Sequence, residues 1–143
     1  MRSLINLERK IINQIMKKTY DKKVNQHYDK VANKQKKSKF STMGDEYIRD
    51  QETDFIINII KNDKKKLNIL DLGCGNGYTL DQISRLSKKN LLHGMDNNKS
   101  LFKIAHKRLS NKANIVKGDI RIFNKNFKNK FDIVISQRVL INI

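Results

Sequence analysis

A short apolar run that ends in an acid and opens into three alternating glycines constrains the fold of this chain more than any other feature. The run covers residues 67–72, and Gly73, Gly75 and Gly77 follow it. Four of its six residues are large aliphatics, which predicts a buried β-strand. Apolar residues at helical spacing begin at Tyr78, so the glycines occupy a turn between a strand and a helix. Glycine in such a turn permits positive φ and lets a ligand approach main-chain N–H groups.

The acid before the glycines separates this turn from the dinucleotide-binding fingerprint. That fingerprint is G-x-G-x-x-G, whereas here one residue separates each pair of glycines. Asp71 stands two residues before the first glycine. A carboxylate at the strand end would repel a pyrophosphate and would attract a ligand that carries an ammonium group or hydroxyls. The turn is therefore predicted to bind something other than a pyrophosphate.

Residues 69–77, which run Ile-Leu-Asp-Leu-Gly-Cys-Gly-Asn-Gly, resemble motif I of the class I S-adenosylmethionine-dependent methyltransferases. The resemblance covers about residues 28–143. It implies an α/β fold of the Rossmann-like, doubly wound type, with a mainly parallel sheet that has seven strands in the family. It also implies that the turn binds S-adenosyl-L-methionine through Asp71, Gly73, Cys74 and Gly75.

The second apolar run, residues 91–95, ends in Asp96 and Asn97. An acid at the end of the second strand of a βαβ unit lies where ribose hydroxyls bind. The resemblance implies this role for Asp96 and includes Asn97 in the cofactor site. The alternative role for Asp96 is to cap the next helix, although Asn97 or Asn98 can also do this.

A third run, residues 115–118, is followed by Asp119 and Ile120. The resemblance implies that Asp119 accepts a hydrogen bond from the adenine amino group and that the Ile120 N–H meets the ring. The side chains of Ile120 and Phe123 either contact the adenine or fill the core.

A fourth strand is predicted over residues 131–136, and a helix is predicted to start at Gln137. Four strands make only part of the family's sheet, and the fourth would be left as an exposed edge. We interpret the chain as the N-terminal, cofactor-binding part of a truncated methyltransferase.

The N-terminal region is predicted to be helical and basic. Residues 1–39 carry twelve basic and three acidic side chains, and apolar residues recur at three- and four-residue steps up to Met16. Residues 33–39 are polar and predict a mobile linker. The predicted organisation is an N-terminal extension over 1–39 and a partial cofactor-binding domain over 40–143. The helix caps the domain, or alternatively contacts RNA or a membrane surface.

The next unit is predicted over residues 41–61, as a helix that is capped by Ser41, Thr42 or Asp45 and ends near Asn62 and Asp63. Its apolar face should pack against the sheet through Ile48, Phe55, Ile56, Ile59 and Ile60. Arg49 lies in a segment that resembles the family's entry segment before motif I. It either pairs with the carboxylate of the cofactor's methionine moiety or is a solvated charge on the helix face.

The net charge and the cysteine content indicate less about the function than the motifs do. The net charge is +17, but 24 of the 31 basic residues are lysines, which favours a compositional bias over a nucleic-acid surface. Cys74 is the only cysteine, which excludes an intramolecular disulfide and suits a reducing compartment such as the cytoplasm. No His or Asn arrangement accompanies it, so it is interpreted as a small side chain chosen for fit.

No apolar run is long enough for a membrane span, and His27 has no partner at metal-ligand spacing.

The predicted function is methyl transfer from S-adenosyl-L-methionine to an acceptor, with a small molecule as the first expectation. Residues 136–139 lack the Asn/Asp-Pro-Pro-aromatic signature of enzymes that methylate exocyclic amines or glutamine amides. The alternatives are a cofactor-binding fragment without catalysis, an RNA methyltransferase that uses the basic N-terminal helix, and a nucleotide-dependent oxidoreductase. The sequence identifies no catalytic residue and no metal ligand.

Overall fold

The computed structural model describes residues 2–39, 44–122, 127 and 131–139, with side chains from Arg9 onward. Within these ranges, the elements in chain order are α1 (Arg2–Gln35), α2 (Glu46–Lys61), β1 (Asn68–Leu72), α3 (Tyr78–Leu86), β2 (Leu91–Asp96), α4 (Lys99–Arg108), β3 (Asn114–Lys117) and β4 (Ile133–Ile135). Two N-terminal helices come first, strands and helices then alternate as far as β3, and β4 follows without a described helix between the two strands.

The four strands form one sheet in the order β3-β2-β1-β4, and every neighbouring pair is parallel. Ile69 of β1 pairs with Leu92 on one side and with Ile133 on the other. The chain moves outward from β1 to β3 and then crosses back, so that β4 pairs with the other side of β1. This reversal between β1 and β4 is the place where doubly wound sheets form ligand sites. The predicted Rossmann-like fold is confirmed.

The core lies between the sheet and the helices that connect its strands. Ile69 of β1, Leu80 and Ile83 of α3, and Leu109 after α4 are fully buried. The predicted strand and helix residues of the motif I region therefore supply the centre of the core. Because they also flank the glycine turn, the packing of the core fixes the position of the turn.

Gly77 shows why the last glycine of the turn is needed. It is the N-cap of α3 and has φ +75°, in the left-handed region. A Cβ at this position would lie 2.8 Å from Leu109 Cδ1 and 3.2 Å from Ala105 Cβ. Gly77 therefore permits both the turn and the close packing of α4 against it.

Helix α2 begins as predicted but presents a different face to the domain. Asp45 caps it by accepting a hydrogen bond from Ile48 N at 3.1 Å, while Ser41 and Thr42 lie outside the described residues. Ile60 is buried and Ile56 packs against the core. The prediction that the whole apolar face packs on the sheet is wrong, since three of its members are 44–67% exposed: Ile48, Phe55 and Ile59. The buried side of α2 includes Arg49 and Thr53 instead.

Helix α1 is longer than predicted. It continues without interruption to Gln35, so residues 33–35 are helical and do not form a linker. Its C-terminal half packs against α4, and Ala32 is buried there. The carbonyls of Lys36 and Ser38 accept hydrogen bonds from the Asn76 side chain. The composition predicts a mobile connection, but the structure shows a segment anchored to the glycine turn.

Residues 136–139 after β4 are not helical. Residues 140–142 of the predicted helix lie outside the described residues, as does Phe123. Among the described strands, β4 pairs on one side only, and Val134 is half exposed. In the described part of the chain, no helix combines the length and apolar character that a membrane crossing needs.

Candidate functional site

All eight residues predicted to bind a ligand line one cavity at the carboxyl ends of the four strands. Counted with the part that opens to solvent, it holds about 850 Å³ of empty space. The predicted residues on its wall are Asp71, Gly73, Cys74, Gly75, Asp96, Asn97, Asp119 and Ile120. The parallel sheet brings them together because each stands where a strand ends.

The glycine turn is tied to the end of β2. Gly75 N donates a hydrogen bond to Asp96 Oδ2 at 2.8 Å, and Gly73 N donates to the Met95 carbonyl at 2.7 Å. Asp96 Oδ1 accepts from Asn98 N at 2.9 Å. Each carboxylate oxygen of Asp96 thus accepts one backbone hydrogen bond and keeps a second lone pair for a ligand.

Asn98 is the residue that caps α4. Its side-chain oxygen accepts hydrogen bonds from Ser100 N at 3.1 Å and from Leu101 N at 2.9 Å. The alternative that Asp96 caps this helix is therefore wrong. Asp96 is 7% exposed and lies on the cavity wall, and burial raises the pKa of its carboxyl group.

An acid and a base are buried together at the end of β1. Asp71 is 2% exposed, and burial raises its pKa to about 7, although the positive charge of Arg49 acts to lower it and the charge of Asp96 acts to raise it. Arg49 on α2 is 5% exposed, so the alternative of a solvated charge is wrong. Both residues line the cavity.

Arg49 has hydrogen-bonding capacity left over. Its guanidinium carbon lies 5.0 Å from the centre of the Tyr78 ring. Among the described residues, its Nε has no hydrogen-bond partner although the atom is buried. Burial lowers the pKa of Arg49, and the nearby charge of Arg138 lowers it further. A buried cationic donor without a partner on a cavity wall indicates an anionic group in the bound ligand.

Asp119 lines the cavity, but its carboxylate already has partners. Arg121 Nε donates to Asp119 Oδ1 at 2.9 Å, and Arg121 Nη2 donates to Oδ2 at 2.6 Å. These bonds hold the pKa of Asp119 below its usual value. Arg121 also pairs with Asp21 of α1 at 3.0 Å. An adenine amino group would have to share Asp119 with Arg121, which the sequence-based prediction did not include.

The C-terminal half of α1 forms one wall of the cavity through Val24 and Tyr28. Asp29 holds this wall in place, since its Oδ1 accepts from Asn98 Nδ2 at 3.1 Å and from Ser100 Oγ at 2.7 Å. This contact could not be predicted from local patterns, because 69 to 71 residues separate the partners.

The wall next to β4 is a polar network that crosses three elements. Thr79 Oγ1 donates to Gln137 Oε1 at 2.8 Å, and Gln137 Nε2 donates to Glu52 Oε2 at 3.2 Å. Arg138 pairs with the same Glu52 oxygen at 3.1 Å. Thr79, Gln137 and Arg138 all line the cavity. This network joins α2, α3 and the segment after β4.

Both packing and backbone conformation require a glycine at position 73. It has φ +71°, and a Cβ here would overlap Cγ2 of Val139. Val139 follows β4 and lines the cavity. The absence of a side chain at Gly73 thus allows the segment after β4 to close against the turn.

Cys74 is buried, and its pKa is raised well above the usual value by burial and by the charges of Asp71 and Asp96. The thiol is therefore neutral and unreactive as a nucleophile. Across the described residues, no group of three His, Cys, Asp or Glu side chains could hold a metal ion.

A family model described as a methyltransferase domain matches residues 63–143. This match covers more than half of the chain. The chain belongs to the methyltransferase domain family. Its fold is that of the class I S-adenosylmethionine-dependent methyltransferases, as the resemblance of residues 69–77 to motif I implies. No curated protein sequence matches this methyltransferase domain.

Solved structures resemble the methyltransferase domain over most of its length. Magnesium protoporphyrin IX methyltransferase from Synechocystis, with bound S-adenosylmethionine, has a TM-score of 0.64 at 16% identity over 87% of this chain and 64% of its own. Phosphoethanolamine N-methyltransferase 1 from Haemonchus contortus, with S-adenosylhomocysteine, has a TM-score of 0.65 at 15% identity over 88% of this chain and 27% of its own.

A candidate caffeoyl-CoA O-methyltransferase from Staphylococcus aureus has a TM-score of 0.53 at 23% identity, and the match covers 59% of this chain and 43% of that protein. The methyltransferase domain described here therefore spans less than two thirds of each of these three relatives. At these identities the likeness establishes the fold alone.

The polar groups of the cavity fit S-adenosylmethionine, the cofactor of this family. The cofactor carries a carboxylate, an ammonium group and ribose hydroxyls. The cavity of the methyltransferase domain offers the Arg49 Nε that has no partner, the buried carboxylate of Asp71, and the open lone pairs of Asp96. A pyrophosphate does not fit, because two buried acids lie beside the glycine turn.

Proposed function

We propose that the cavity binds S-adenosylmethionine and that the protein transfers its methyl group to a small molecule. The observation that carries this proposal is the convergence of Asp71, Asp96 and Asp119 on one cavity beside the glycine turn. The three acids are far apart in sequence, so only the doubly wound sheet brings them together. Family membership supports the same cofactor.

The methionine part of the cofactor is assigned to the end of the cavity near β1. Arg49 would bind the carboxylate, since its Nε is buried without a partner. Asp71 would face the ammonium group. A zwitterion matches this pair of opposite charges, whereas a ligand with a single charge would leave one of them uncompensated.

The adenosine part is assigned to the ends of β2 and β3. Asp96 would accept hydrogen bonds from the ribose hydroxyls with the lone pairs that Gly75 and Asn98 leave open. Asn97 lies beside it on the cavity wall. Asp119 and Ile120 would contact the adenine, with Asp119 held in place by Arg121.

The bound cofactor supplies a methyl group on a sulfonium, which is already a good leaving group, so alignment of the acceptor is the protein's main task. Around the cavity, the described residues include no His and only one neutral thiol. The chain's own contribution is to orient the cofactor and to exclude water through the wall formed by Val24 and Tyr28 of α1.

A small-molecule acceptor is supported by residues 136–139, which lack the signature of amine- and amide-methylating enzymes that act on DNA or protein. The acceptors named for two of the structural relatives, magnesium protoporphyrin IX and phosphoethanolamine, are also small molecules. A reducing compartment such as the cytoplasm suits a chain whose single cysteine is a free thiol.

Calorimetric titration of the full chain with S-adenosylhomocysteine tests the proposal, with circular dichroism to show that the chain is folded. We expect binding in the micromolar range and no heat from NAD. Binding of NAD in place of S-adenosylhomocysteine would favour an oxidoreductase. A folded chain that binds neither would remove the assigned roles of Asp71, Asp96 and Asp119.

A further inference from the structure

The first part of α1 carries apolar side chains that nothing in the described structure covers. Every residue from 9 to 20 is exposed. Five of these residues are large and apolar, and 47–63% of each is exposed: Ile11, Ile12, Ile15, Met16 and Tyr20. We refer to these five residues as the N-terminal stripe. Their spacing of three to four residues places them along one side of the helix.

The N-terminal stripe faces away from the domain. The residues of α1 that contact the domain come later in the helix and include Val24, Tyr28 and Ala32. At 3.6 residues per turn, these contacts centre on the side of the helix roughly opposite to the stripe. Rotation of α1 toward the domain would bury the stripe only by exposing Ala32 and by opening the cavity wall. The described residues therefore leave the stripe without a cover.

The charge around the stripe is strongly positive. Residues 9–23 contain six basic side chains and one acid, Asp21. All six basic residues are exposed, whereas Asp21 is already paired with Arg121. Lys17 falls on the side of the helix that faces the domain, where its charge acts on Asp119, whereas Arg9, Lys22 and Lys23 fall on the side of the stripe. Long basic side chains at these positions can keep their charges in an aqueous layer while their stems lie along an apolar surface.

These two features together favour one class of partner. A second copy of this helix would bring two strongly positive segments into contact, which charge repulsion opposes. A nucleic acid would satisfy the lysines but would leave the aliphatic side chains in water. An anionic lipid surface satisfies both features, because acyl chains take up the apolar stripe while anionic headgroups attract the lysines.

We propose that the N-terminal stripe of α1 docks the protein on anionic lipid surfaces. Tyr20 stands one helical turn before Val24, which lines the cavity. Docking through the stripe would therefore hold one wall of the cavity close to the lipid headgroups.

Co-sedimentation of the full chain with lipid vesicles tests this surface. One set of vesicles contains phosphatidylglycerol and phosphatidylcholine in equal parts, and the other contains phosphatidylcholine alone. We expect binding to the anionic vesicles and little to the neutral ones. The double variant Ile12→Glu with Met16→Glu should lower binding by about tenfold or more, because it places two carboxylates in the stripe. Phe55→Glu is the control, since Phe55 is also an exposed apolar residue but lies on α2.

A second variant separates docking from a loss of helix structure. Lys22→Gln with Lys23→Gln keeps good helix formers and leaves the stripe intact, and it should weaken binding in a salt-dependent manner. Equal binding by the wild type and by the Ile12→Glu, Met16→Glu variant would overturn the proposal. Failure to sediment with anionic vesicles would also overturn it, and salt-sensitive binding of a single-stranded RNA would then assign the helix to nucleic acid.

Discussion

Asp96 accepts a hydrogen bond from the backbone N–H of Gly75 at 2.8 Å, and this bond joins the end of β2 to the middle of the glycine turn. The two residues lie 21 positions apart in the chain. The same carboxylate also accepts from Asn98 N, so it fixes the turn and the start of α4 together. Asp96, which is proposed to bind the ribose, thus also shapes the glycine turn that would bind the methionine part of the cofactor.

Asp96→Asn should weaken the binding of S-adenosylhomocysteine. The variant loses the negative charge. Its side-chain amide also replaces one acceptor oxygen by an NH₂ donor, and this donor would face the N–H of either Gly75 or Asn98. Hydrogen bonds to charged groups contribute about 1.5–3 kcal/mol, so we expect affinity to fall by about 10- to 150-fold in calorimetry. Asp54→Asn, on the exposed side of α2, is the control and should bind like the wild type. Equal affinities for both variants would remove Asp96 from the site.

Arg49→Gln should affect only ligands that carry the methionine carboxylate. We expect the variant to bind S-adenosylhomocysteine about tenfold or more weakly, because a charge-assisted hydrogen bond is lost. Its affinity for 5′-methylthioadenosine, which lacks the amino-acid group, should be unchanged. The comparison of the two ligands in one variant controls for folding. A similar loss for both ligands would show that Arg49 supports the structure and does not contact the carboxylate.

The pKa of Asp71 predicts how stability depends on pH. The pKa of Asp71 rises from its ordinary value of 3.8 to about 7 in the folded chain, so the folded state binds this proton more tightly than the unfolded state. The contribution of protonated Asp71 to the free energy of unfolding is complete below about pH 4 and is lost as the pH rises to about 7. Chemical denaturation across this range should show the fall, and Asp71→Asn should flatten it. A fall in the variant as large as that of the wild type would contradict the assignment.

Gly73→Ala should destabilise the fold through its contact with Val139. The new methyl group overlaps Cγ2 of Val139, and the positive φ adds strain. We expect a loss of about 1–3 kcal/mol in the free energy of unfolding. Gly44→Ala is a suitable control, because nothing lies within 4 Å of its added Cβ. The double variant Gly73→Ala with Val139→Ala should recover part of the loss, and purely additive effects would show that the two sites are not in contact.

Asp29→Ala should loosen the wall that α1 contributes to the cavity. The change removes the acceptor for Asn98 Nδ2 and for Ser100 Oγ. We expect a loss of about 1–2 kcal/mol in stability and faster tryptic cleavage at the lysines of α1. Gln26→Ala, an exposed position on the same helix, should leave the cleavage rate unchanged. Cleavage of Asp29→Ala at the wild-type rate would indicate that other contacts hold the helix.

The sheet and the eight cavity residues were predictable because they depend on patterns that are local in sequence. Apolar runs define the strands, and an acid after each run defines the edge of a parallel sheet where a ligand binds. The positions of Asp71, Asp96 and Asp119 on the cavity wall follow from these two facts. Their contacts with a cofactor remain predictions.

The orientation of α2 was not predictable in the same way. Its apolar residues repeat with the helical period, but the sequence does not reveal which side of the helix faces the domain. The structure buries Arg49 and Thr53 and leaves Phe55 exposed. The buried arginine beside Asp71 takes the place of apolar packing, and no periodicity argument could detect it.

Contacts over long sequence separations account for the other errors. The linker predicted over residues 33–39 is anchored because Asn76 and Arg108 donate hydrogen bonds to its carbonyls. Arg121 pairs with Asp21 across 100 residues and with Asp119 at the cavity. Lysine-rich composition indicates solvent exposure, but it does not show which carbonyls will meet a donor from elsewhere in the chain.

The burial of Cys74 beneath the glycine turn gives the protein a built-in reporter. Because it is the chain's only thiol, a cysteine-specific reagent can label the protein only there. The labelling rate under native conditions therefore measures how often the turn opens. Any ligand that closes the cavity will slow that rate, so unknown acceptors can be screened by mass spectrometry without an assay for the reaction.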